Sequence, residues 1–211
     1  MTGWKQLPAW SREVAGLDLS AEQLASLRIY VDLLMTWNRK ISLVSQQSVE
    51  DILVKHVVDS LCAAGHCAGA KSVADLGSGG GFPGVVIALI HPRTRVCLME
   101  SRGKKASFLE EARRVLRLSN CTVYHGRIEA AAAIDAHRGA YDIAVSRALA
   151  ELPELERLSA PLLAPCGYLL AMRSIGGKLG SYRWIDYQLP DGSPRRLAFG
   201  GGATVPRPIS D

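Results

Sequence analysis

Four glycines stand within the five residues Gly77–Gly81, between two apolar runs. The first run, SVADL, has the pattern of a short strand, and the second, which begins after Phe82 and Pro83, has the pattern of a helix. Glycines at this point let the backbone turn sharply and approach a ligand closely. An acidic residue, Asp75, stands two positions before the first glycine. The functional interpretation depends on what this loop binds.

Two ligand-binding patterns overlap in the loop. Gly79, Gly81 and Gly84 satisfy G-x-G-x-x-G, in which a dinucleotide pyrophosphate lies at a helix N-terminus. Asp75, Gly77, Gly79 and Gly81 satisfy an acidic-x-G-x-G-x-G pattern that resembles motif I of S-adenosylmethionine (SAM) methyltransferases. A carboxylate repels a pyrophosphate but suits the sulfonium and ammonium groups of SAM. The pattern favours SAM, with a dinucleotide or a turn without ligand as alternatives.

Charged residues follow at the end of the next predicted strand. Glu100 comes 23 residues after Gly77, where a carboxylate can accept hydrogen bonds from both ribose hydroxyls of either cofactor. Arg102, Lys104 and Lys105 come directly after it. We interpret these cations as phosphate contacts to RNA, the alternative being a solvated first helical turn. Cations oppose the helix dipole at that position, which favours the RNA interpretation.

Alternating strand and helix patterns place these residues. Five strands separated by four helices predict an α/β fold with a doubly wound, mostly parallel, Rossmann-like sheet, and the ligand site at the carboxyl ends of the strands. WIDYQL and RRLAF predict a terminal antiparallel hairpin around PDGSP, and GGGATVPRPISD a loose tail. The predicted strands are SVADL, RVCLME, CTVYHG, DIAVSRA and CGYLLAM, and the predicted helices lie in PGVVIALIH, KKASFLEEARRVLRL, EAAAAIDAH and LPELERLSAPLL.

A helical region precedes the sheet. Ser20 with Gln23, and Ser48 with Asp51, are typical of helix starts, and apolar residues recur at helical spacing after each. We therefore expect a helical extension over residues 1–66 and a SAM-binding core over residues 67–211, with the GHCAGAK stretch as the linker.

Composition is that of a soluble globular protein. The chain has 211 residues, 48% hydrophobic and 21% charged, with a net charge of +5. No apolar run is long enough for a membrane span, and the N-terminus lacks a secretory signal. Five scattered cysteines without a CxxC pair indicate reduced thiols in the cytoplasm, and the cluster of Cys62, His66 and Cys67 fits no common zinc pattern. We therefore expect no metal and no membrane partner; the oligomeric state is not indicated.

Several motifs occur together in a characteristic order. They are LVSQQSVEDILVKHVVDSL, DLGSGGGFPG, ESRGKKASFL, SRALAEL and APLLAPCGYLLAM. Together they resemble the small-subunit (16S) ribosomal RNA guanine-N7 methyltransferase family, of the RsmG/GidB type, over about two-thirds of the chain. The resemblance implies a helical extension on a Rossmann-like core, SAM as methyl donor, and N7 of one guanine in ribosomal RNA or the small ribosomal subunit as acceptor.

The resemblance also implies residue roles. Gly77 and Phe82 match SAM contacts in the glycine loop, Ile128 and Glu129 match the pair beside the adenine, and Arg147 matches a further SAM-binding position. The chain departs from the family in three places. It has Ser42-Leu43-Val44 for Asn-Leu-Thr, Met172-Arg173-Ser174 for Met-Lys-Gly, and a short connection between Met172 and Trp184.

Guanine N7 carries an in-plane lone pair, so methyl transfer needs no general base, and we assign no catalytic acid or base. Several roles have two interpretations. Phe82 stacks on a base or packs at the helix start; Arg127 contacts RNA or forms an ion pair; His56 and Asp59 pair with each other or line the cleft. Rival functions are a SAM-binding, RNA-associated protein without turnover, a nicotinamide-dependent oxidoreductase, and a small-molecule methyltransferase.

Overall fold

The computed structural model describes residues 2–45, 48–175 and 182–201. These residues form a seven-stranded sheet with helices packed against it. The order across the sheet is β3-β2-β1-β4-β5-β7-β6; β1 to β5 run parallel, and β7 is antiparallel to β5 and β6. The order reverses between β1 and β4, the position where ligands bind in open α/β sheets. The strands are β1 (Ser72–Leu76), β2 (Arg95–Glu100), β3 (Cys121–His125), β4 (Tyr141–Arg147), β5 (Leu163–Ser174), β6 (Arg183–Gln188) and β7 (Pro194–Gly200).

Helices cover both faces of the sheet. Val73 of β1 and Leu98 of β2 pack in one hydrophobic cluster with α1, α2, α4, α5 and α6, whereas Ala74 and Cys97 point to the opposite cluster with α7 and α8. This alternation follows from the two-residue period of a strand. The helices are α1 (Thr2–Ala15), α2 (Ala21–Asn38), α3 (Val49–Ile52), α4 (Asp59–Gly65), α5 (Gly84–Ile90), α6 (Gly103–Val115), α7 (Ile128–Ala132) and α8 (Leu152–Ser159).

The predicted α/β fold is confirmed: five parallel strands alternate with helices, and β6 and β7 form the terminal antiparallel hairpin. Both predicted helix starts are also present. The Ser20 side chain accepts from the Gln23 backbone N–H, and Gln23 caps Ser20 in return. The Ser48 side chain accepts from the backbone N–H of Asp51. These local signals are strong because each satisfies helix N–H groups that have no intrahelical partner.

Three details differ from the sequence-based prediction. A π-helical turn, Leu53–Val58, interrupts the predicted continuous helix between α3 and α4. Helix α7 is shorter than predicted: it ends at Ala132, and its buried residues are Ile128 and Ala131. Strand β5 begins before the predicted Cys166, and its register with β4 shifts after the first pair, where Pro165 lacks the N–H that a regular ladder needs.

The N-terminal helices share a hydrophobic core with the sheet. Leu7 of α1 and Leu27 of α2 belong to the same cluster as Val86 of α5 and Leu98 of β2. The division at residues 66 and 67 stays a prediction. Among the described residues, no helix combines the length and the hydropathy that a bilayer span requires. Most of the predicted loose tail, residues 202–211, lies outside the described residues.

Candidate active site

A cavity of about 860 Å³ opens at the carboxyl edge of the parallel strands. Small-molecule sites typically have volumes of about 300–1,000 Å³. The structure brings together ten of the twelve residues for which the sequence predicted cofactor or RNA contacts; Asp75 and Lys104 are not among the lining residues. The ten are Gly77, Gly79, Phe82, Glu100, Arg102, Lys105, Arg127, Ile128, Glu129 and Arg147.

Asp75 lies beneath the glycine loop rather than in the cavity. Its side chain is fully buried, and its Oδ2 accepts a hydrogen bond from the backbone N–H of Gly84 at 3.0 Å. Burial raises the pKa of this carboxyl to about 7. A Cβ on Gly84 would lie 2.5 Å from the same oxygen, so glycine is required there. In this position Asp75 ties the end of β1 to the start of α5, and its predicted role toward the positive charge of the cofactor stays a prediction.

The first three backbone N–H groups of the glycine loop donate to acceptors at the end of β2. Those of Gly77 and Ser78 donate to the carbonyl oxygen of Met99 at 2.9 and 3.0 Å, and that of Gly79 donates to Glu100 Oε2 at 2.9 Å. A pyrophosphate-binding loop needs such groups free and aimed at the phosphates. The loop therefore suits SAM, which has no phosphate, better than a dinucleotide.

Glu100 is fixed by two backbone donors, one in the glycine loop and one just after β2. Its Oε1 accepts from the backbone N–H of Arg102 at 2.8 Å, its Oε2 accepts from Gly79, and the residue is 6% exposed. A carboxylate offers about four lone-pair positions, so this one retains acceptor capacity for ribose hydroxyls. Ile128, at the start of α7, gives the same wall an apolar surface for an adenine. These residues fit SAM.

Phe82 packs against protein side chains on several sides. It is 3% exposed, its ring stacks on His56 with centroids 4.9 Å apart, and it meets Tyr30 at 5.2 Å. The Arg147 guanidinium lies 5.4 Å from its ring centroid. Of the two interpretations, the structure favours packing at the helix start, and Phe82 supports the cavity wall rather than presenting a free face for a base.

Arg147 is anchored at the end of β4 by the chain segment around the π-helical turn. Its guanidinium donates to the Lys55 carbonyl at 3.2 Å and to His56 Nδ1, and it lies 3.5 Å from Asp59 Oδ2. Burial and the neighbouring Arg147 charge lower the pKa of His56 to about 3, so its imidazole is neutral and accepts the hydrogen bond. His56 and Asp59 thus line the cavity and bond to Arg147, the second of their two predicted interpretations.

Ala148, which follows Arg147, has a φ of +53°. The left-handed region costs an L-residue about 1–2 kcal/mol. Strained backbone of this kind persists only where surrounding contacts maintain it. Such residues are found most often at binding and active sites. Leu149 comes next, lines the cavity and is 41% exposed, which leaves an apolar side chain available to a ligand.

Cations surround the mouth of the cavity. Arg102, Lys105 and Arg127 line it near the ends of β2 and β3, and Lys104 lies exposed on the first turn of α6. Glu129 also reaches the cavity and forms a long ion pair with Arg157 at 3.9 Å. Lys104 and Lys105 lie in the first turn of α6, where the helix dipole disfavours cations. No acidic residue in that turn offsets their charge. This arrangement suits contacts to an anion outside the protein.

Sequence reasoning did not assign Lys55, Arg173 and Arg195, which all line the cavity. Arg173 donates to the Ala150 carbonyl at 2.7 Å, and Arg195 lies 3.9 Å from Asp59. For Lys55 the available signal was its place beside the His-x-x-Asp-Ser sequence. Arg195 lies on the terminal hairpin, far along the chain from the motifs, and no local pattern marks it. Within the described ranges no three His, Cys, Asp or Glu residues form a metal-binding group.

Comparisons with known proteins identify the family and the fold. The family model described as rRNA small subunit methyltransferase G (GidB) matches residues 23–178. Proteins named ribosomal RNA small subunit methyltransferase G from Desulfitobacterium hafniense and Rubrobacter xylanophilus are 37% and 41% identical to this chain over 77% and 80% of it, and the matches span 68% and 63% of their own lengths. A methyltransferase structure from Geobacter sulfurreducens, 14% identical, aligns over 92% of this chain and 95% of its own with a TM-score of 0.55, which shows the Rossmann-like methyltransferase fold. The chain belongs to the rRNA small subunit methyltransferase G family.

Proposed function

We propose that this protein transfers a methyl group from SAM to N7 of a guanine in small-subunit ribosomal RNA. The observation that carries the proposal is the glycine loop: the N–H groups of Gly77, Ser78 and Gly79 donate inside the protein, and Glu100 presents a fixed carboxylate beside it. Family membership supports ribosomal RNA as the substrate.

Different residues of the cavity suit different parts of the methyl donor. Glu100 would accept hydrogen bonds from the ribose hydroxyls, Ile128 would pack on the adenine, and Gly77 and Gly79 would leave room for close approach. Arg147 would supply positive charge to the carboxylate of the cofactor. When bound, SAM supplies an electrophilic methyl group on its sulfonium.

The protein acts on the acceptor mainly by positioning. Because N7 has an available lone pair, no side chain has to remove a proton before transfer. The cavity must align N7 with the methyl group at about 3 Å, and in well-oriented reactions restricting both partners in this way lowers the barrier by about 7–11 kcal/mol. This is consistent with a site in which no catalytic acid or base is assigned.

RNA reaches the cavity along its basic mouth. The major groove of A-form RNA is deep and narrow, so a guanine N7 is accessible where the base is unstacked or in a loop. Arg102, Lys104, Lys105 and Arg127 can contact the flanking phosphates while the base enters. Such binding weakens steeply as salt rises, which distinguishes an RNA substrate from a small molecule.

The test uses methyl-labelled SAM and small ribosomal subunits from cells that lack this activity. Label is followed into RNA, and the modified nucleoside is identified by mass, with naked ribosomal RNA as a parallel substrate. We expect N7-methylguanosine at one site. If no label enters RNA although SAM binding is measured separately, the protein is a SAM-binding protein without turnover, and the proposal is wrong.

A further inference from the structure

A chain of polar contacts links the cavity to the terminal hairpin. Tyr187 of β6 donates its hydroxyl to Asp59 Oδ1 at 2.6 Å, and Arg195 of β7 lies 3.9 Å from the same oxygen. The other oxygen of Asp59 lies 3.5 Å from Arg147. The Asp59 side chain is 5% exposed, so this carboxylate is enclosed by the groups that bind it.

A buried ion pair of this kind is weak evidence for stability. Removing two charges from water costs free energy that their attraction often fails to recover. Its position is more informative, because two departures from regular backbone meet at Arg147: the π-helical turn that ends just before Asp59, and the positive φ of Ala148. π-helical turns and strained residues both concentrate at functional sites. The network is therefore better explained by orientation of Arg147 than by stabilisation of the core.

Arg147 needs such orientation because its side chain is long and has many rotamers. Lys55 and His56 bind two of its nitrogen atoms from the π-helical turn, and Asp59 supplies the opposite charge. Tyr187 in turn fixes the carboxylate of Asp59. These contacts form a chain from Tyr187 of the hairpin through Asp59 to Arg147 at the cavity.

We propose that Asp59 and Tyr187 are positioning residues for Arg147, and that the terminal hairpin thereby forms a working part of the cofactor site. This inference rests on the proposed function, since it assigns Arg147 to the carboxylate of SAM. Tyr187 is not among the residues that line the cavity, and we expect both residues to act on cofactor binding through the guanidinium of Arg147.

The first experiment measures the affinity of the purified full chain for S-adenosylhomocysteine by calorimetry. Asp59→Asn should weaken binding about tenfold, and Tyr187→Phe about fivefold, because each removes a charge-assisted contact that orients Arg147. Tyr182→Phe is the matched control. Tyr182 precedes the same hairpin but donates to Glu156 of α8 at 2.8 Å, away from the cavity. It should lose stability in thermal unfolding without losing affinity.

A double-mutant cycle separates positioning from a general structural role. In an Arg147→Gln background, Asp59→Asn and Tyr187→Phe should cause no further loss of affinity, because the group through which they act is gone. Wild-type affinity in both single variants, equal loss in Tyr182→Phe, or additive losses in the cycle would each overturn the inference. Tyr187→Phe keeps the test decisive if Asp59→Asn does not fold. The readout is binding, so a failure of RNA methylation leaves this test intact.

Discussion

The two halves of the cavity are built by different means. In the glycine-loop half, the loop Gly77–Gly84 is joined to Glu100 and to Asp75 beneath the cavity by hydrogen bonds from backbone N–H groups, between residues that are 9 or 21 positions apart. In the arginine half, the contacts join side chains across the chain: Arg147 to His56 over 91 positions, and Tyr187 to Asp59 over 128.

This difference decides what the sequence can reveal. A loop that depends on backbone geometry requires glycine at fixed positions, and glycines in a row are visible in the sequence. A network that depends on long-range side-chain contacts uses ordinary residue types, whose partners are known only once the chain has folded. The glycine-loop half should accordingly be sensitive to added volume, and the arginine half to loss of a polar group.

The sharpest test of the glycine-loop half is Gly84→Ala. The new Cβ would lie 2.3 Å from Leu98 Cδ2 and 2.5 Å from Asp75 Oδ2, both on buried residues. We expect a loss of about 4 kcal/mol in the free energy of unfolding, measured by urea denaturation, because overpacking here displaces β1, β2 and α5 together. Gly103→Ala is the control: its Cβ would meet His125 at an ordinary 3.5 Å. Equal stability of the two variants would mean that the loop has more space than the structure shows.

The fold could be predicted from the sequence because its signals are local. Apolar periodicity, the caps at Ser20 and Ser48, and the turn between β6 and β7 each act within a few residues. The π-helical turn was not predictable, since LVKHVV has no composition that separates it from an α-helix. The buried position of Asp75 was not predictable either, because an acidic residue at a strand end suits both a ligand contact and a buried tie to a helix start.

The titration of Asp75 gives the next largest effect. Its pKa is raised from 3.8 to about 7 by burial, so the folded protein keeps a proton that the unfolded chain has released. The stability contributed by this group is therefore lost as pH rises from about 4 to about 7. Asp75→Asn does not titrate, so its stability relative to wild type should rise by about 3 kcal/mol over that range.

The quantity to compare is the difference in free energy of unfolding between Asp75→Asn and wild type at each pH, because other groups titrate over the same range. In the arginine half, the lowered pKa of His56, about 3 instead of 6.5, acts in the opposite direction and costs stability as pH falls below 6.5. That contribution is the same in both proteins and cancels. Urea denaturation at about pH 4.5 and about pH 8 measures the difference. A constant difference would show that Asp75 is ionised in the folded protein throughout.

Ligand binding at the glycine loop is tested by Gly77→Asp. Gly77 has a φ of +74°, and a Cβ there would lie 2.8 Å from Leu149 Cδ1 at the cavity wall. We expect SAM affinity to fall about 100-fold, or about 2.7 kcal/mol, because the side chain enters the space that the backbone leaves for the ligand. Gly69→Asp is the matched control, with a φ of +79° and no atom within 4 Å of its Cβ. Should Gly77→Asp bind SAM normally while folded, the cofactor site lies elsewhere.

The smallest expected effect concerns a residue that belongs to neither half. Lys104 is exposed on the first turn of α6 and does not line the cavity, whereas Lys105 does. Lys104→Ala should weaken RNA binding about threefold and lower the slope of log affinity against log salt by about 1, since one phosphate contact is lost. SAM affinity should stay unchanged because the side chain does not line the cavity. Lys71→Ala, just before β1 at the opposite edge of the sheet, should change neither property. An equal loss of RNA affinity in both variants would mean that RNA responds to net charge alone, and that the basic mouth does not direct the substrate to the cavity.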